Sequence, residues 1–510
     1  IDCIHNIAIL GRKMFPAKCL KRLLSSDSLY PKFCSSEIIS ADIFKSLQSI
    51  VGDKNISKAE AVCSQHSHDE SYYRGNLPAA VVWPQSVQEV SHVVKICHKH
   101  RIPMIPFGTG TGLEGGVLSE QDGCVAINLT KMEEITGFHP EDLDVSVQPG
   151  VTRHMLNNHL KSHGLHFPID PGADASLCGM CATGASGTNA VRYGTMKENV
   201  LNMEVVLADG TIVHTAGKNR RTKKSSAGYN LTNLFVGSEG TLGLITEATL
   251  RVYGIPEKMV SAVCSFDTVK SAVDCVAQVM QSGIPMARIE FLDDMAMNCA
   301  NKYSHLEYRV APTLFLEFQG SESSVEVDIE TVGEIVKFNN GSEFQYSQTM
   351  EERNKLWKAR HEFWYSMLAL RPGGKGYSTD VCVPISELPD VISYAKEELS
   401  SSNLLYSIVG HVGDGNFHCG MNIDMDDEDE VRRVKEFSSN LVKRALAANG
   451  TCTGEHGVGL GKRKYLIDEF AESGVMLMAQ LKRTMDPYNL LNPGKVLLPE
   501  YLEKFASSKK

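Results

Sequence analysis

Two short segments hold the side chains best suited to bind a metal ion and move a proton. Gly410-His411-Val412-Gly413-Asp414-Gly415-Asn416-Phe417-His418 sets two imidazoles seven residues apart, and Thr453-Gly454-Glu455-His456-Gly457 adds a carboxylate and a third imidazole. Two imidazoles and one carboxylate suit Zn²⁺, Mn²⁺ or Fe²⁺ and leave coordination positions open for a substrate. On one continuous strand, residues 411 and 418 would face opposite ways, so the intervening Gly-Asp-Gly must turn the chain for them to converge. Any one of these histidines alone reads as readily as an ordinary polar contact; the whole set, flanked by glycines that give backbone access, points to metal and base. A flavin-free metal hydrolase could use the same cluster, although the chain has no HExxH.

A second kind of chemistry lies in loops of small residues. Pro106-Phe107-Gly108-Thr109-Gly110-Thr111-Gly112-Leu113-Glu114-Gly115-Gly116 has five glycines in nine residues, which neither a helix nor a strand would tolerate. Such a segment lets backbone N–H groups converge on an anion such as a pyrophosphate. It is neither a Rossmann GxGxxG in its usual setting nor a Walker loop, since no Gly-Lys-Ser/Thr follows. Asp170-Pro171-Gly172 leads into a second loop, Cys178 to Asn189, followed by Arg192-Tyr193-Gly194. A third, Gly237-Ser238-Glu239-Gly240-Thr241-Leu242-Gly243, precedes an apolar strand at Ile245. Three separated loops imply a long ligand lying against much backbone, as a dinucleotide would. Cys178 and Cys181 have CxxC spacing, a weak redox or metal signal without a second pair.

The elements that must position these loops follow from periodicity. Ala80 to Trp83 reads as a strand. Ser86-x-x-Glu89 then reads as a capping box before a helical stripe at Val87, Val90, Val93, Val94 and Cys97. Ile102 to Phe107 is a second strand, giving strand, helix, strand and glycine loop, the order of an α/β nucleotide-binding unit. Further strands are expected at Val125–Leu129, Asp144–Gln148, Met203–Leu207, Val213–His214 and Gly243–Val252. Past Pro256 a helix at Val269–Met280 and a strand at Thr313–Phe318 suggest a second α+β domain. It carries a polar insert from Met350 to Gly376, with Trp357, Arg360 and Trp364 at helical spacing, and an acidic helix start from Asp424 to Glu430.

The chain has 510 residues, 42% hydrophobic and 22% charged, which is too long for one core. A net charge of −10 argues against nucleic-acid binding. No apolar run approaches the ~20 residues of a transmembrane helix. Fourteen scattered cysteines read as free thiols in a reducing compartment. The opening stretch carries Arg12, Lys13, Lys18, Lys21, Arg22 and Lys32 against Asp2 and Asp27, with serines between. It reads either as the remnant of an organelle transit peptide or as a solvated basic tail.

On its glycine loops the chain resembles the FAD-binding family typified by vanillyl-alcohol oxidase and p-cresol methylhydroxylase, from about Ser71 to Leu498. The resemblance implies an α+β fold: a two-subdomain FAD-binding domain of the p-cresol methylhydroxylase type at 36–253, and an α+β, ferredoxin-like cap domain at 254–470. Residues 1–35 would be a transit-peptide remnant, and 471–510 a C-terminal segment returning to the FAD domain.

It further implies that Pro106, Gly108, Thr109, Gly110, Thr111, Gly112, Leu113, Gly115 and Gly116 cradle a pyrophosphate. The rest of the flavin would meet Pro171, Gly172, Gly179, Thr183, Gly184, Ser186, Gly187, Asn189, Tyr193 and Gly194, then Glu239, Gly240, Gly243, Ile245 and Asn492. Some members attach FAD to a histidine in the first loop; none stands between Pro106 and Gly116, so the FAD is expected to be non-covalent. The resemblance assigns His411, His418 and Glu455 to a divalent metal, Zn or Mn, His456 as the base, and Arg360 to the substrate carboxylate. The implied reaction is oxidation of D-lactate, or a similar small D-2-hydroxy acid, to the 2-oxo acid in mitochondria. Electrons would pass to cytochrome c or another respiratory acceptor.

Relatives that oxidise D-2-hydroxyglutarate hold its second carboxylate with a lysine and an asparagine. Here Ser378 and Gly420 stand at those places, favouring a smaller or apolar substrate side chain, with Lys375 close enough to substitute. A redox-inactive flavin enzyme resembling the ether-lipid synthase is a further alternative, which the intact His411/His418/Glu455 set disfavours.

Overall fold

The computed structural model describes residues 39–347 and 349–507, so the basic opening segment lies outside the described residues. Three sheets of four or more strands, each with its own buried core, carry the rest. In the first, Ala80–Val82, Val125–Asn128 and Met104–Phe107 run parallel, with Ile56–Ser57 antiparallel at the edge. The helix Val87–His100 connects two of them, its stripe Val90, Val93, Val94 and Cys97 wholly buried. Ser86 caps it as expected, Oγ accepting from Glu89 N at 3.2 Å. The reciprocal half of the box is shifted by one residue, because Glu89 Oε2 accepts from Gln85 N at 2.8 Å. Pro106 is tolerated because its strand is the sheet's other edge. That edge is covered by the chain's far end: Met104 N donates to Leu490 O (2.7 Å) and Asn492 N to Met104 O (2.8 Å).

The second sheet is antiparallel, in the order Ile135–His139, Asp144–Val147, Leu244–Arg251, Val200–Val206, Ile212–His214. Its core includes the helix Leu177–Thr183, on which Cys178 and Cys181 are buried free thiols. Burial pushes both thiols up, so they stay protonated rather than reactive.

The third sheet positions the side-chain chemistry. Its strands are Lys258–Ser265, Arg288–Leu292, Thr313–Gly320, Gln345–Tyr346, Lys375–Ser378, Val381–Cys382, Tyr406–His411 and Asn416–Ile423. Val409 pairs with His418 and His411 with Asn416, so the hairpin places 409, 411 and 418 on one face. Leu292 opposite Val409 puts Glu290 on that face too. The other face buries Phe291, Leu316, Ile408, Phe417 and Cys419 with the helices Val269–Gln281, Leu388–Ser401 and Glu428–Ala447. The stretch read as a polar insert forms two helices, Met350–His361 and Phe363–Leu368, and it buries Leu356, Trp357, Ala359 and Arg360. Arg360 is polar in sequence and internal in fact because Glu290 awaits it on the sheet.

The C-terminal stretch divides between cores. Leu490 and Leu491 join the first, while Val475, Ala479, Leu497, Tyr501 and Leu502 join the third. Among the described residues no helix is long and apolar enough to cross a membrane.

Candidate functional site

A cavity of about 320 Å3 lies where the three small-residue loops meet the face bearing His411 and His418. Pro106, Gly108, Thr109, Gly110, Thr111, Gly112, Leu113 and Gly116 line it, as do Pro171, Gly172, Gly179, Thr183, Glu239, Gly240, Gly243, Ile245 and Asn492. Arg360, His411, His418, Glu455 and His456 line the same space. Gly115, Gly184, Ser186, Gly187, Asn189, Tyr193 and Gly194 do not. Gly184 caps the helix Leu177–Thr183, Asn189 Nδ2 donates to Pro168 O at 2.9 Å, and Tyr193 Oη accepts from Gln319 Nε2 at 2.6 Å.

The loops are shaped for a ligand that lies on backbone. Gly240 has φ 70°, and a Cβ there would run into the Pro106 ring. Asn492 ties two of the loops together, Nδ2 donating to Gly116 O (2.9 Å) and Glu239 O (2.7 Å). A cavity bounded by main chain at one end and titratable side chains at the other suits a dinucleotide laid along the loops with its reactive ring toward the histidines.

At the other end Glu455 Oε1 lies 3.0 Å from His411 Nε2 and 3.0 Å from His418 Nε2. The hairpin turn that brings the histidines together depends on Gly415 at φ 88°, where a Cβ would strike Val383 O. Each ring is fixed from behind. His411 Nδ1 lies 2.7 Å from Glu290 Oε1, and His418 Nδ1 lies 3.1 Å from Thr379 O. With Nδ1–H donated in both, the Nε2 atoms are left as ligand atoms, the usual arrangement of a carboxylate- or carbonyl-backed metal site. His411, His418 and Glu455 offer ligand atoms that all lie within 4.8 Å of one another, and this donor set fits a divalent cation. Burial would lower the His411 pKa, but Glu290 and Glu455 outweigh it and hold it well above the ordinary value.

Asp380, His418 and His456 form an overlapping group, but Asp380 is already saturated. Its Oδ2 accepts from the backbone N–H of Gly454 (2.9 Å), Glu455 (2.9 Å) and His456 (2.8 Å), and from Thr453 Oγ1 (2.7 Å). Burial alone would raise its pKa, yet His456 and His418 beside it keep it well below the usual carboxylate range. His456 stacks on His418 at 4.8 Å, and its Nδ1 is buried without a hydrogen bond. Burial lowers the His456 pKa, against the pull of Asp380, which favours the neutral ring that can accept a proton.

Arg360 Nε donates to Glu290 Oε2 at 2.8 Å, with Nη2 2.7 Å from the same oxygen. Glu290 therefore links Arg360 to His411, a connection that sequence reasoning missed; its only sequence signal is a carboxylate alternating with apolar residues in Arg288-Ile289-Glu290-Phe291-Leu292. His361, Phe363, Trp364 and Asp170 also line the cavity and went unforeseen as site residues. Ser378 and Gly420 lie in its wall, while Lys375 is exposed and does not line it.

Residues 78–216 match the FAD binding domain family, and 255–496 match the C-terminal domain of FAD linked oxidases. A Danio rerio protein named probable mitochondrial D-lactate dehydrogenase is 60% identical over 455 residues, 89% of this chain and 91% of the relative. An Arabidopsis thaliana protein named mitochondrial D-lactate dehydrogenase [cytochrome] is 43% identical, covering 85% of this chain and 77% of its own. Among solved structures, p-cresol methylhydroxylase with substrate bound superposes with a TM-score of 0.75 at 19% identity, covering 90% of this chain and 96% of that one.

Proposed function

The chain belongs to the FAD-linked oxidase family, alongside proteins named mitochondrial D-lactate dehydrogenases, and from that premise we propose that it oxidises D-lactate to the 2-oxo acid in mitochondria and passes electrons to a cytochrome. The observation that carries the reading is one cavity in which a glycine-rich backbone cradle faces His411, His418, Glu455, His456 and Arg360. The two domains are taken as 36–253 and 254–470, with 471–510 as a C-terminal segment returning to the FAD domain.

Non-covalent FAD, held by the lining residues of the three loops and Asn492, would accept the hydride equivalent from C2, and Zn or Mn on His411, His418 and Glu455 would acidify the substrate hydroxyl. The chain's own residues do the rest. Arg360 grips the substrate carboxylate: Glu290 engages its Nε and Nη2, and Nη1 brings two further N–H donors. His456 takes the hydroxyl proton, and the Asp380 carboxylate 4.0 Å from its Nδ1 steadies the cation that results.

The substrate's side chain is small and apolar. A Cβ at Gly420 would touch Met367 Cε (3.5 Å), Phe363 Cε1 (3.6 Å) and Ser407 Oγ (3.7 Å), so the wall there offers hydrocarbon and one hydroxyl but no cation. A second carboxylate would be desolvated without a partner against such a wall.

The test is anaerobic mixing of flavin-loaded protein with D-lactate, L-lactate or D-2-hydroxyglutarate while the visible flavin band is followed. Bleaching by D-lactate in preference to the other two is expected. Bleaching mainly by D-2-hydroxyglutarate would overturn the reading of Ser378 and Gly420; a protein that never acquires a flavin band would restore the metal hydrolase.

A further inference from the structure

His456 stands in a loop with little regular structure, yet the loop is held from both sides by buried carboxylates. Asp380, between the strands Lys375–Ser378 and Val381–Cys382 of the cap domain, takes the amides of residues 454–456. Glu239, in the third small-residue loop of the other domain, takes the next two: Oε1 accepts from Val458 N at 2.6 Å and Oε2 from Gly459 N at 2.8 Å. Between them Gly457 has φ 81°, with a would-be Cβ 3.1 Å from Glu239 Oε1, so the chain wraps closely around that carboxylate. Glu239 is itself fixed. It is 6% exposed, its N donates to Ala182 O (2.8 Å), its O accepts from Asn492 (2.7 Å), and its backbone sits at φ 51°. A neighbouring strut repeats the theme, with Leu460 N donating to Glu114 O at 2.8 Å and Lys462 Nζ 3.6 Å from Glu114 Oε1.

We propose that Glu239 is a positioning residue for His456: its carboxylate, reaching from the flavin-side loop, sets where the base stands relative to the cavity. The proposal rests on His456 being the base. Both carboxylate oxygens of Glu239 are occupied by amides of the base loop, so its side chain serves that loop. Without the carboxylate one buried and one half-buried N–H group lose their acceptors, and the segment relaxes to find others. A displacement of about 1 Å at a reacting group is enough to lower turnover about a hundredfold. Because the lost interaction is remote from the substrate carboxylate, kcat falls and KM is little changed.

The experiment compares wild-type, Glu239→Ala and Glu239→Gln holoenzymes by steady-state kinetics, flavin absorbance and hydrogen exchange of a peptide spanning 457–460. Glu239→Ala is expected to keep its flavin band, lose about a hundredfold in kcat, and exchange the Val458 and Gly459 amides at least about tenfold faster. Glu239→Gln, which retains one acceptor oxygen, should recover part of both losses. Unchanged exchange in Glu239→Ala would overturn the clamp, and faster exchange with near-normal kcat would overturn its role in positioning. His456→Ala is measured alongside: if it is fully active the base reading fails, and the exchange result still decides whether Glu239 holds the loop. Should Glu239→Ala fail to fold, the same comparison is made on Glu239→Gln.

Discussion

The two ends of the cavity recognise ligands by opposite means. At one, Gly108 to Gly116, Gly179 and Gly240 offer backbone with almost no side chain in the way. At the other, Glu290, Arg360, His411, His418, Glu455, His456 and Asp380 form a buried web in which nearly every polar atom is engaged. A backbone cradle works by absence, so its failures come from added atoms. A side-chain web works by mutual support, and removing one member leaves the others buried and unpaired.

The sharpest way to break this contrast is His456→Ala, which should lower kcat by about 10²–10⁴-fold while the flavin band stays intact, as stopped-flow reduction with D-lactate would read. Loss of flavin in that variant would mean that the two ends are not separable.

Next in size is the seam between them. Asp170 accepts from Thr188 Oγ1 (2.7 Å), Asn189 N (3.1 Å) and Arg288 Nη2 (3.2 Å), and meets His361 Nε2 at 3.1 Å. Burial would raise its pKa, but Arg288, His361 and Arg153 outweigh that and hold it below the ordinary value. A carboxyl depressed in the folded state stabilises above its ordinary pKa, near 3.9, and loses that contribution as pH falls through the folded value. Asp170→Asn should therefore cost about 3 kcal/mol at pH 7, with the gap to wild type closing below about pH 4. Urea midpoints at the two pH values would check it; a gap independent of pH would remove the ion pair from the account.

The smallest effect belongs to the backbone end. Gly240→Ala forces a left-handed residue, costing about 1–2 kcal/mol, and crowds Pro106, so flavin affinity should drop at least about tenfold. Metal content should be unaltered. Flavin titration of the apoprotein measures the first and elemental analysis the second.

The same contrast explains what was legible in the sequence. Glycine clusters announce themselves, because helices and strands exclude them, and so the cradle loops could be placed from Pro106, Gly179 and Gly237 onward. Histidines within glycine-rich turns are nearly as visible. Glu290 and Asp380 were not, since nothing local distinguishes a carboxylate facing solvent from one facing a partner far along the chain; His411 and Glu290 are 121 apart, and His456 and Asp380 are 76 apart. Alternation in Arg288-Ile289-Glu290 correctly marks one polar face, but that face is internal: Arg288 meets Asn189 and Asp170 of the FAD domain, and Glu290 meets Arg360 and His411 of its own. Between Gly184 and Gly194 only Ala185 and Thr188 line the cavity, while Gly184, Ser186, Gly187, Asn189, Tyr193 and Gly194 share the composition of the cradle but not its place, a distinction that only the tertiary packing makes.

The hydrogen bonds of Asn492 also have a bearing on synthesis. They span 376 residues to Gly116 and 253 to Glu239, and the neighbouring Leu490 and Leu491 close the edge of the first sheet. A nascent chain emerging at about 5–20 residues per second exposes its first glycine loop long before residue 492 leaves the ribosome. For that interval, on the order of tens of seconds, the cradle lacks its last fastening. The cradle is thus completed late relative to its own first loop, which waits on a residue 376 positions further along the chain.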